Sequence, residues 1–71
     1  MRVKTGPAKT PDGYYLIVVE GSGEELDSAE KIAIEKGLEM ERSGNILFVK
    51  TRSRRLQMMV YKELVQMSRK R

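Results

Sequence analysis

The chain has 71 residues and a formal net charge of +4, with no cysteine and no histidine. Those absences exclude disulfides, Cys/His zinc sites, thiol chemistry and imidazole acid–base catalysis together. A chain this short makes one domain that buries only roughly 60% of its unfolded surface, so a partner subunit is the staple that remains open to it.

The charge is unevenly distributed. Residues 1–19 carry Arg2, Lys4 and Lys9 against Asp12, a net +2. Residues 20–41 carry eight acids against Lys31 and Lys36, a net −6, and residues 42–71 carry nine Lys/Arg against Glu63, a net +8. Such asymmetry points to nucleic acid or to acidic partners. The first residues lack the apolar stretch of a signal peptide, and the longest apolar runs are too short to span a bilayer. With no cysteine to oxidise, the sequence reads as a soluble, cytoplasmic protein with no membrane partner.

In chain order, Arg2-Val3-Lys4-Thr5 alternates only weakly, and Gly6-Pro7 and Thr10-Pro11-Asp12-Gly13 are breaker clusters. Residues 1–13 are therefore expected as an arm or a loose edge strand, with the domain proper over residues 14–71. Tyr14–Val19 is apolar on both alternate sets and reads as a central strand. Ser22-Gly23-Glu24-Glu25 has capping-box spacing and opens a helix over about residues 23–36, with Gly37 as the residue that ends it and Leu38 folding back. Leu38–Arg42 alternates in period two, Ser43-Gly44-Asn45 is a short turn, and Ile46–Val49 is the second central strand. From Ser53, a plausible N-cap, the pattern becomes helical again. Leu56, Val60, Leu64 and Met67 form one apolar stripe, and Met58, Tyr61 and Val65 form a second, with Gln57 and Ser68 between them.

These elements predict an α+β fold. The expected order is βαββα, with a possible extra N-terminal edge strand and two helices on one face of a small, mainly antiparallel sheet. Such a sheet leaves its second face uncovered, and the apolar arc of the last helix is too wide for one sheet. Either the N-terminal arm and the stems of long side chains cover the remainder, or, the favoured answer, a homodimer buries the second stripe (Met58, Tyr61, Val65) or the open sheet face.

Three arrangements invite a chemical reading. Glu20-Gly21-Ser22-Gly23 joins a strand to a helix start, as phosphate loops do, but Glu20, Glu24, Glu25 and Asp27 would repel a phosphate there. The same acids match no calcium-loop spacing and read as first-turn residues complementing the helix dipole, so no metal and no cofactor are expected. No nucleophile or acid–base pair stands out, and the chain reads as a non-enzyme.

The basic run differs in kind. Lys50 and Arg52 leave the strand on one side, and Arg54 and Arg55 open the last helix, where the dipole disfavours cations. Arg69, Lys70 and Arg71 close it. Local helix stability does not explain the first four, whereas arginine forks and lysines tracking phosphate oxygens would. No zinc finger, recognition-helix pattern or RNP1-like motif supports base-specific readout. The expected function is binding of DNA or RNA through the phosphate backbone with low sequence specificity. The alternative is a protein-interaction module, a small regulator or inhibitor, that engages an acidic protein partner.

Overall fold

The computed structural model describes residues 1–69, without the side chains of residues 7 and 8. Six elements follow in order: β1 (Arg2–Lys9), β2 (Tyr15–Glu20), α1 (Gly23–Glu35), β3 (Glu39–Ser43), β4 (Ile46–Thr51) and α2 (Arg54–Arg69). One antiparallel sheet has the order β1-β2-β4-β3, which makes the two most apolar strands its centre. Both helices pack on one face, so the α+β class expected from the sequence is the class observed. Among the described residues, no helix is long and apolar enough to cross a membrane.

Local signals set most boundaries. Ser22 accepts from the Glu25 amide at 3.2 Å and the Glu25 carboxylate accepts from the Ser22 amide at 2.9 Å, completing the capping box of α1. At the other end Leu38 N–H donates to Ala33 O and Gly37 N–H to Ile34 O, with Gly37 at φ +74°. That pairing is a Schellman motif, and its left-handed residue carries no Cβ to clash. The Gly44-Asn45 turn places only Gly44 at positive φ, +57°, the type II′ arrangement that suits a two-residue hairpin. Ser53 caps α2 by accepting from the Leu56 amide at 3.2 Å.

The core lies between sheet and helices. Ile17 and Val19 of β2 and Leu47 and Val49 of β4 meet Leu26, Ala29 and Ala33 of α1 and Val60 and Leu64 of α2, all fully buried. The alanines let α1 approach the sheet closely. Of the two readings for residues 1–13, the strand is observed. The breakers do not dislodge it because β1 is held from a distance by Gln57. On a helical wheel that side chain divides two apolar stripes, yet in the fold it is fully buried. Its Nε2 donates to Thr5 Oγ1 at 2.6 Å, Leu16 O at 2.9 Å and Gly6 O at 3.1 Å. Thr5 Oγ1 in turn donates to Leu16 O at 3.0 Å. β1 therefore extends the sheet at its edge and does not lie across the open face.

Candidate nucleic-acid interface

The antiparallel register brings the start of β2 beside the end of β4, with Tyr15 opposite Thr51 and Leu16 opposite Lys50. Tyr14 and Tyr15 thus arrive where the basic run begins. Lys50 Nζ lies 4.8 Å from the Tyr14 ring centroid, and the Arg52 guanidinium carbon lies 4.9 Å from it. On the helix side, Lys9 Nζ lies 5.3 Å and the Arg54 carbon 5.7 Å from the Tyr15 ring. Strand alternation explains the division: Tyr15 belongs with the inward set (Ile17, Val19), while Lys50 shares the outward set with Phe48.

Of the seven cations the sequence nominated, the fold gathers Lys50, Arg52 and Arg54 around this pair of rings, with Arg55 exposed at the start of α2. Arg54 is also structural, since its Nη1 donates to Gln57 Oε1 at 2.8 Å and Gly6 O at 3.2 Å. Arg69 sits at the far end of α2, about 22 Å along the helix axis from Arg54 at the usual rise per residue. It is not part of the cluster, and Lys70 and Arg71 lie outside the described residues. Sequence reasoning missed Lys9, which sits among turn residues. The signal that could have found it was the hairpin itself, which pairs Lys9 with Tyr15.

The rings matter because of what they do not do. A carboxylate would orient these cations and cancel their charge, whereas an aromatic face orients them, at about 0.5–1 kcal/mol each when exposed, and leaves the charge intact. Among the described residues, none of Lys9, Lys50, Arg52, Arg54 and Arg55 is ion-paired; the side-chain salt bridges are made by Arg42 and Lys36. Glu39 stands opposite Lys50 across the β3–β4 pair, but the ammonium turns to Tyr14. The first turn of α2 holds no acid, so the positive end of the helix dipole adds to the same region.

Elsewhere two acids of α1 are occupied by an arginine outside the cluster. Arg42 on β3 donates through Nη1 to Asp27 at 2.7 Å and Glu30 at 3.0 Å, and through Nη2 to Gly23 O at 3.3 Å. Its guanidinium is held above its ordinary pKa, first by the bond to Asp27 and then by that to Glu30. Among the described residues, no three carboxylates converge as metal donors. The proposed partner stripe on α2 is half-buried at Met58, Tyr61 and Val65, and Tyr61 packs on the core.

The open sheet face remains. Leu16, Val18 and Ile46 are half-buried there and Phe48 is 36% exposed, with Arg2 and Lys4 on the β1 edge and Glu39 and Glu41 on the β3 edge. No protein-family model matches the chain, nor does any curated protein or solved structure.

Proposed function

We propose that the protein binds nucleic acid non-enzymatically, gripping the phosphate backbone with Lys50, Arg52, Arg54 and Arg55, joined by Lys9. One observation carries the reading. Four cations are ordered by two tyrosine rings and none is neutralised by a carboxylate among the described residues. Ordered, uncancelled positive charge at a strand-to-helix junction suits a polyanion whose oxygens accept from guanidinium forks and ammonium groups. Contact of this kind positions the partner without reading its sequence.

The test is fluorescence anisotropy with short single- and double-stranded DNA and RNA over a range of salt. Affinity should fall steeply with salt. The Lys50→Ala/Arg52→Ala variant, which spares the Arg54–Gln57 contact, should lower the slope of log K against log salt by about 1.4–1.8 for two lost phosphate contacts. Unchanged slope and affinity in that variant would remove the site. A second reading takes an acidic protein as the polyanion, supported by the apolar Leu16, Val18 and Phe48 surface next to the cations. Binding to an acidic polypeptide but to no oligonucleotide would favour it.

A further inference from the structure

We propose that the open sheet face is the contact between two copies of this chain, packed face to face about a two-fold axis that runs along the strands. The strand register supplies the argument. Lys4 pairs with Val18, Val18 with Phe48 and Phe48 with Glu41, so one row across the sheet reads base, apolar, apolar, acid. The neighbouring row reads Arg2, Glu20, Ile46, Ser43. The face is thus basic along the β1 edge and acidic along the β3 edge, with an apolar centre where Val18 meets Phe48, bounded along the central strands by Glu20 at one end and Lys50 at the other.

A rotation about an axis parallel to the strands lays β1 of one copy over β3 of the other. Each row then meets itself reversed: Lys4 faces the partner's Glu41, and Val18 faces the partner's Phe48, twice over by symmetry. An axis across the strands would set β3 on β3 and β1 on β1, bringing Glu41 against the partner's Glu39. Like charges placed directly opposite are unfavourable, so the charges choose the first axis. Aligned packing of two sheets at about 30° is a standard geometry for such faces. The occupant is a second copy because the surface carries its own complement; Glu39 and Glu41 would repel a polyanion laid across the same face. The α2 stripe offers less, since Tyr61 is already packed on the core.

The arrangement also bears on the proposed function. Two copies related by this axis run their strands in the same direction, so both sets of Tyr14, Lys50 and Arg52 come to one end of the sandwich. There Tyr14 of one copy faces the partner's Arg52 and Lys50 faces the partner's Leu16, so the cations lie at the end of the interface and reach a phosphate only along its open rim. The phosphate surface is then a composite of two chains, a step that rests on the nucleic-acid reading, whereas the dimer itself does not.

Sedimentation of the full chain from low to high micromolar concentration, without nucleic acid, should give a monomer–dimer equilibrium. Phe48→Glu should weaken it by at least about tenfold, as should Lys4→Glu or Glu41→Lys alone. Within one copy Lys4 and Glu41 are three strand spacings apart, about 14 Å, too far for strong mutual effect at physiological salt. Mixing the Lys4→Glu chain with the Glu41→Lys chain pairs opposite charges at both contacts, so the mixture should associate where neither variant does alone. Circular dichroism confirms that each variant is folded before it is scored. A chain that stays monomeric throughout overturns the proposal, as does a dimer indifferent to Phe48→Glu or a mixture that fails to recover association. Loss of oligonucleotide binding with the dimer intact would remove only the nucleic-acid reading.

Discussion

Gln57 is the side chain on which the edge strand and the basic cluster both depend, and its replacement gives a worked test. Its amide has two N–H groups shared among three acceptors at 2.6–3.1 Å, and its oxygen accepts from Arg54 at 2.8 Å. In Gln57→Leu, of similar volume, Leu16 O still receives the Thr5 hydroxyl and Gly6 O still receives Arg54. No acceptor is fully orphaned, so the loss is about 1–3 kcal/mol. Gln57→Glu is harsher. An ionised carboxylate would face Thr5, Gly6 and Leu16 oxygens with only Arg54 to pair it, costing about 3–5 kcal/mol. A chain of this length has about 4–11 kcal/mol of stability, so the loss would consume a large share of it. Near neutral pH thermal unfolding should drop by at least about 12 °C for Glu and about half that for Leu. Burial among acceptors raises the folded-state pKa of the introduced carboxyl. The glutamate variant therefore loses stability as pH rises through that region and regains it on acidification, when its neutral acid again offers a donor. The assay is calorimetry or circular dichroism at acidic and neutral pH. A Gln57→Glu chain as stable as the parent near neutrality would show that the network is open to water and would refute the account.

Three further substitutions address the first half of α1. A Cβ on Gly21 would stand 2.6 Å from Glu25 Oε1 and 3.2 Å from Glu25 Cβ, so Gly21→Ala should displace the carboxylate that accepts from Ser22. It should cost about 1 kcal/mol, as should Ser22→Ala, and thermal melts of the double variant should fall short of additivity because both disable one capping box. Arg42→Gln should loosen β3 from the start of α1, read as faster amide hydrogen exchange at Glu24–Asp27, and added salt should mimic it in the parent. Because the Arg42 pKa is raised, its own contribution is fully present below its ordinary value and is lost only as pH rises through the raised one, so protection should be flat across neutral and mildly alkaline pH.

The parts of the fold that were legible in the sequence are those fixed by neighbours within four or five residues. Ser22 and Glu25 form their box, Gly37 turns the chain out of α1, Gly44 makes the hairpin and Ser53 caps α2, all by contacts the local pattern already implies. What was not legible depends on pairing across long separations. Gln57 looks like a surface divider on a helical wheel, because nothing local announces that Thr5, Gly6 and Leu16 will bring it three oxygens. The ordering of Lys50 and Arg52 by Tyr14 needs the β2–β4 register, whose paired residues lie 26 to 36 positions apart in the chain. The double-sided apolar pattern of the central strands was visible, but burial of both faces was not achieved within one copy. Val18 and Phe48 meet on a face that no helix covers.

The same long-range pairing bears on whether the basic run serves to balance the acidic middle of the chain. If the cations after Val49 existed to balance the acidic middle of the chain, the fold would bring the two together. Instead Asp27 and Glu30 of α1 hold Arg42 of β3, Glu63 of α2 reaches Lys36 at 3.5 Å, and Glu39, although opposite Lys50 on the neighbouring strand, makes no ion pair with it among the described residues. The end of the sheet formed by Tyr14, Tyr15 and the start of α2 is left with like charges close together and a helix dipole of the same sign. Cation–π contact offsets part of that repulsion and removes none of the charge. The cluster is therefore a local cost to the free domain; an anion bound there, as proposed, would relieve it and would stabilise the fold by mass action.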